Sequence, residues 1–322
     1  MKLRHILLMV LLLLAVLPVG ARSRLPKSNK LTGSAFEAGV GAGWTTLQYT
    51  LTDGTNAGAA HFSAHVGYSY FFNRNIGIGI GVDFSRYGAS AYYGNKQLTW
   101  DGVQDSDGET YMHQTQLNHW RETQSLYAVS VPLVLQFAFP INRSLQFIGD
   151  VGVRYAHFVS TGYAASGEIT HTGYYAPWRL TLQDMEPYGF YSTSDFRPSG
   201  SLNNRPFSIN LVAKFGVVIP LNKRVDLTAK AYLDYGLTRA LDLEENAAAL
   251  GFRNDHDGMS EVHSFMNDYS TILATDQLNG GRANVLAVGV EVGVRVALST
   301  KHKCNCLRGN QPSFRHKKHK RR

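Results

Sequence analysis

Residues 285–298, VLAVGVEVGVRVAL, restrict the fold of this chain more than any other stretch. Leu286, Val288, Val290, Val292, Val294, Val296 and Leu298 are all apolar, and between them stand Ala287, Gly289, Glu291, Gly293, Arg295 and Ala297. A strict period of two specifies a β-strand whose faces meet different surroundings. A half-buried strand of a soluble sheet turns a richly polar face to water. Here the second face holds small residues with one acid and one base, as a crowded interior requires. That division fits a transmembrane barrel strand, apolar toward lipid and small or polar toward the lumen. About 13 residues at ~3.3 Å each, tilted by ~40°, cover roughly 33 Å, enough for a hydrocarbon core.

The same alternation recurs. It predicts eight strands over residues 33–46, 61–72, 76–85, 127–139, 145–155, 207–219, 225–237 and 285–298. Pro132 falls inside the fourth and faces inward by phase, where its missing N–H requires a bulge or a local break. Residues 73–75, 140–143 and 220–223 are tight turns, whereas 50–60, 88–122, 159–205 and 239–283 are polar enough to be long loops. Within the last, LDLEENAAAL could form a short helix. Short and long connections therefore alternate. The expected fold is all-β: an eight-stranded antiparallel up-and-down transmembrane β-barrel, with short periplasmic turns and long extracellular loops. Outward aromatics fall at two levels, as interfacial belts do. Phe36, Tyr70, Phe72, Phe137, Phe139 and Phe147 lie near the short turns, and Trp44, Phe62, Phe84, Tyr155, Phe207 and Tyr235 near the long loops. A soluble lipocalin-like barrel would reverse this pattern, with its large apolar residues inside.

The ends of the chain add a compartment. Lys2 and Arg4 precede an apolar run over residues 6–16, and Val19 and Ala21 suit a cleavage site, so residues 1–21 are expected to be a signal peptide. A periplasmic lead (22–34), the barrel (35–298) and a basic periplasmic tail (299–322) complete the division. The formal net charge is +8, but the tail alone holds nine Lys/Arg and no acid, so the remainder is close to neutral. Cys304 and Cys306, the only cysteines, also lie in the tail, which leaves no disulfide framework.

Strand phase turns Glu37, Asp83, Asp150, Asp234 and Glu291 into the lumen with Arg154, Lys214, Lys230 and Arg295, and sets Asp226 near the short-turn mouth. An eight-stranded barrel has room inside only for packed side chains, and charges at membrane depth must pair. These nine residues are expected to form a structural salt-bridge network that plugs the lumen, with a narrow gated ion path as the alternative.

The Gly-rich alternating strands, the VPLVLQF segment at 131–137 and the closing strand resemble the outer-membrane β-barrel families related to the OmpA transmembrane domain. Among these, the PorT-like barrels of Bacteroidetes-type bacteria are the nearest comparison. The resemblance spans about residues 35–298 and implies residence in the cell outer membrane, surrounded by lipid and lipopolysaccharide. Glu291, Gly293, Val296 and Leu298 are similar to the final-strand signal read by the outer-membrane assembly machinery, with Leu298 where an aromatic residue is usual. Many OmpA-like proteins continue into a peptidoglycan-binding domain, whereas a basic tail follows here.

Other chemistry finds little support. His61 and His65 share a strand face about 13 Å apart, too far for one metal ion. His113, His119, His171, His256 and His263 fall in the expected loops and could meet in three dimensions. His157, Ser160, Ser125 and Glu122 cluster near loop bases, without a nucleophile motif. No catalytic centre, cofactor or metal site is expected. The chain is expected to be a structural or surface-binding barrel. An accessory subunit of an envelope secretion or assembly machine, as the PorT-like resemblance implies, comes second, and a lipid-modifying enzyme or small gated channel third. The polycationic tail suits an acidic periplasmic partner. Nucleic acid is no partner for an exported barrel.

Overall fold

The computed structural model describes residues 33–49, 51, 54–105, 107–142, 145–185, 189–202, 205–222, 224–241 and 283–298. The expected signal peptide, short helix and basic tail with its two cysteines lie outside the described residues, as do His256 and His263.

Among the described residues the strands are β1 (Gly33–Gln48), β2 (Thr55–Phe71), β3 (Ile76–Gln104), β4 (Thr110–Pro140), β5 (Gln146–Tyr175), β6 (Leu180–Leu182), β7 (Ser192–Phe196), β8 (Ser199–Ser201), β9 (Phe207–Pro220), β10 (Val225–Gly236) and β11 (Asn284–Ala297). Eight of them close a ring in the order β1-β2-β3-β4-β5-β9-β10-β11, each antiparallel to its neighbours. Closure pairs the first strand with the last, with Glu37 opposite Arg295, Val40 opposite Val292 and Gly41 opposite Glu291. A closed ring leaves no strand edge unpaired, the condition for a sheet that crosses lipid. The outer face is apolar where water would demand charge: Val40 is 65 % exposed, Val66 62 %, Ile80 52 % and Val292 49 %.

The inner turns close through side-chain caps. Asn73 Oδ1 accepts the backbone N–H of Asn75 and Ile76, and Asn222 Oδ1 those of Arg224 and Val225, all at 2.8 Å. An asparagine side chain imitating a backbone turn makes such short connections stable. Around Pro132 the β4–β5 register runs unbroken. On the other side the ladder to β3 has no partners at Gly81 and Val82, yet resumes in the same register. The proline therefore breaks the ladder locally without adding a residue.

Two expected loops are corrected. Residues 88–122 and 159–205 are largely strand: β3 and β4 continue to a hairpin near Gly108, and β5 rises beside them to Tyr175, flanked by β6, β7 and β8. The strands thus extend well beyond the bilayer as a blade. The alternation was hidden by bulges between Asn118 and Arg121 of β4, where His119 has φ 50°, and at Val159 of β5, the extra residue opposite the Tyr127–Ala128 step. Each extra residue flips the inward phase. Similarly, β2 begins at Thr55, inside the expected 50–60 loop.

The barrel interior is layered. At the inner end Phe71, Ala138, Ile148 and Val218 pack together. At the outer end Leu47, Tyr87, Leu117, Trp120, Leu126 and Val285 belong to a much larger apolar cluster that extends into the blade. The Arg154 and Lys230 clusters lie between these two layers, and Arg295 with Asp226 stands beside the inner one, over the Phe71 ring.

Candidate functional site

β1, β2, β3, β4, β5, β9, β10 and β11 each turn alternate residues inward, so charges distant in sequence converge on one lumen. Arg154 Nη2 lies 2.6 Å from Asp83 Oδ2, and Nη1 contacts Asp234 Oδ2. The Tyr87 hydroxyl donates to the same Asp234 oxygen at 2.6 Å. Deeper toward the inner end, Lys230 Nζ donates to Glu37 Oε1 at 2.5 Å and to Asp150 Oδ2 at 3.0 Å. Gln136 Nε2 donates to the other oxygen of Asp150 at 3.1 Å. Lys214 Nζ donates to Glu291 Oε2 at 2.8 Å. Arg295 lies 3.6 Å from Asp226 and stands over the Phe71 ring at 5.3 Å. All ten charged side chains are buried.

This spacing has a steric condition. A Cβ at Gly39 would stand 2.5 Å from His65 Cε1 and 2.8 Å from the Val292 carbonyl oxygen. The small residues of the inward face are therefore the clearance that the long charged side chains occupy. A cavity of about 50 Å³ remains between Glu37, His65, Asp83, Asp150, Lys214 and Lys230.

The two strand histidines part company. His65 lies between Glu291 (3.5 Å) and Glu37 (4.0 Å), while His61 packs against Tyr87 and Tyr232. Glu37, His65 and Glu291 each offer a ligand atom within 4.8 Å of the others. Each carboxylate already holds a lysine ammonium, which occupies the place a cation would take.

The remaining candidates disperse. Glu122 points inward and accepts from Gln124, whereas His157 and Ser160 are exposed on the outer face, so no hydrolytic arrangement forms among them. Ser125 receives a hydrogen bond from Arg86. In the blade, His113 Nε2 meets His171 Nδ1 at 3.2 Å, with Thr115 Oγ1 at 2.8 Å from the same Nδ1. Burial draws the His113 imidazole down to about 4. His119 stands apart, 3.7 Å from Glu168.

Strand phase alone did not single out Tyr87 and Gln136, which complete the carboxylate contacts, or the two apolar layers. Tyr87 and Gln136 are inward by the same alternation as Asp83 and Asp150. Continuing the inward positions of β3 past Ser85 yields Tyr87, Ala89, Ala91 and Tyr93, which is the outer apolar layer.

A closed, eight-stranded antiparallel ring with an apolar exterior and a charge-paired interior defines a transmembrane β-barrel of the outer-membrane type, and the cell outer membrane is its location. The fold is similar to that of Neisserial surface protein A, with 14% identity and a TM-score of 0.34 over 82% of this chain and 97% of that one. OprG from Pseudomonas aeruginosa is similar at 10% identity and a TM-score of 0.32, over 85% of this chain and 98% of that one. The N-terminal β-barrel domain of Pseudomonas aeruginosa OprF has 10% identity and a TM-score of 0.28, over 82% and 98% respectively. No protein-family model and no curated protein matches the sequence.

Proposed function

We propose that the protein is a sealed outer-membrane barrel with a structural and surface-binding role, and that it neither conducts nor catalyses. The layering carries this: paired charges occupy the middle of the lumen, and apolar side chains close it above and below. An ion crossing would have to leave water for two apolar layers and displace ammonium or guanidinium groups from buried carboxylates, each step costing several kcal/mol. The nine charged residues named from the strand phase are then a plug. Glu291, Gly293, Val296 and Leu298 serve as the assembly signal on the closing strand. The blade of β3, β4 and β5 supplies the binding surface, since rigid strands carrying exposed polar side chains such as Asn95, Gln97 and Arg121 present a fixed recognition face. Planar-bilayer recording tests the seal. Purified protein should give no steady conductance step, and a large, sustained single-channel current would overturn the proposal.

A further inference from the structure

The blade has two unlike faces. Leu117 and Trp120 of β4, and Tyr163 and Ile169 of β5, belong to the apolar cluster at the outer end of the lumen, and Tyr111, Tyr175 and Phe190 fill the same side nearer the tip. The alternate residues therefore stand on the opposite side, the one that faces lipid lower in the barrel. Register sets them in rows. Gln97, Gln116, Thr170 and Ser192 lie side by side on β3, β4, β5 and β7, and Thr99, Gln114 and Thr172 form the next row toward the tip. Neighbouring rows are about 7 Å apart and neighbouring strands about 4.8 Å.

These side chains order one another. Gln116 Nε2 donates to Asn95 Oδ1 and, at 3.5 Å, to Asn118 Oδ1, and the Thr170 and Ser192 hydroxyls lie 2.8 Å apart. No ionisable residue stands in either row. Charge collects at the borders instead: Arg121 toward the membrane, Glu168 beside His119 at 3.7 Å, and Asp101 toward the tip. A strand face that meets only water usually mixes acids and bases, which keep it soluble and unpaired. A carboxamide and a hydroxyl each donate and accept, so this face offers both kinds of hydrogen bond without attracting an ion of either sign.

We propose that this face binds uncharged polysaccharide, namely the chains that rise from the outer leaflet around the barrel. The inference rests on the surface-binding reading above and names its ligand. The charge of the face selects the class. The rows hold no Lys or Arg to pair a phosphate or sulfate, and no carboxylate to pair a cation. They hold no aromatic or Arg anchor of the kind that centres a protein interface, which disfavours a partner protein. A sugar hydroxyl is neutral and both donates and accepts, so it matches the carboxamides and hydroxyls of the rows. Tyr174, half-buried one row nearer the tip, adds an apolar ring against which the C–H face of a sugar can lie. Position selects the source. The face continues the lipid-facing side of the barrel, so a chain anchored in the surrounding leaflet passes directly along it.

The full chain is refolded into phosphatidylcholine vesicles. One labelled probe is the uncharged polysaccharide released by mild acid from the lipopolysaccharide of the source cells, and labelled dextran sulfate is its anionic counterpart. Co-sedimentation reads the bound fraction over protein-free vesicles. The uncharged chain should bind saturably, and equally at about 0.1 M and about 1 M salt, because neutral contacts are not screened. Gln97→Ala with Gln116→Ala should weaken binding about tenfold, and Thr99→Ala alone about threefold, as hydrogen-bonding groups are lost. Gln97→Asn with Gln116→Asn should recover part of the affinity. Asp107→Asn, exposed on the hairpin beyond the face, should leave it unchanged. Heat-dependent gel mobility shows which variants insert. Failure of the wild type to insert overturns the barrel reading itself. Insertion without binding, or source cells that lack an uncharged chain, overturns this inference alone. Binding that favours dextran sulfate and collapses in salt overturns it and points to an anionic ligand. Binding that survives both the alanine pair and Thr99→Ala, or that falls with Asp107→Asn, overturns the face as the site.

Discussion

Replacing Arg154 by methionine separates a charge network from mere filling of the lumen. Methionine keeps a long unbranched side chain, so the main loss is the guanidinium. Arg154 is 5 % exposed and lies between Asp83, 2 % exposed, and Asp234, 1 % exposed. Asp234 keeps the Tyr87 hydroxyl, so Asp83 is the carboxylate that suffers most. Removing one member of a buried ion pair costs about 3–5 kcal/mol, because the partner's charge is left without compensation. At about 1–3 kcal/mol per molar urea, the unfolding midpoint should fall by roughly 2 M. Adding Asp83→Asn and Asp234→Asn removes the stranded charges and should restore most of the loss, since neutral replacement of a whole buried group is often tolerated. The assay is urea unfolding in phospholipid vesicles, followed by tryptophan fluorescence and by heat-dependent gel mobility. If Arg154→Met unfolds at the wild-type midpoint, or the triple variant is weaker than the single one, Arg154 is not holding charge in balance.

Other substitutions test the remaining layers. Val292→Lys places a charge on the lipid face and should cost about 2–4 kcal/mol near the midplane; unchanged heat resistance on a gel would contradict the facing. Gly39→Val drives a side chain into His65 and the Val292 carbonyl. Overpacking of this kind costs about 1–3 kcal/mol or more, and the fraction of heat-modifiable protein after refolding should drop. His113 in the blade is held near 4, below its usual 6.5. Between those values the unfolded blade binds a proton that the folded one refuses. Blade stability should therefore be full above pH 6.5, decline as pH falls through this window and level off below about 4. Urea unfolding read from Trp100, whose ring lies 5.7 Å from His113, should show that slope, and His113→Phe should abolish it.

Periodicity made the barrel legible. Residues 285–298 and 76–85 alternate so strictly that strand, face and span follow from the residues alone. The inward placement of Glu37, Asp83 and Asp150 follows from the same parity. The blade was illegible for an equally physical reason: β4 between Asn118 and Arg121 and β5 at Val159 each shift the phase by inserting a bulge, and a two-residue period cannot be followed across it. The polar composition of residues 88–122 then suggested loop, although most of that segment is paired between β3, β4 and β5.

By itself the sequence determined what faces lipid, what faces the lumen, and that the charges of the lumen nearly cancel, because parity along a strand is a local property. Only the closed sheet decided which charges meet. Lys230 lies 193 residues from Glu37 and 80 from Asp150, yet its ammonium bridges both. Ring closure and strand stagger set those distances, and they are properties of eight strands together. The same holds for the two apolar layers, whose residues come from every part of the chain and acquire a common depth only when the barrel closes.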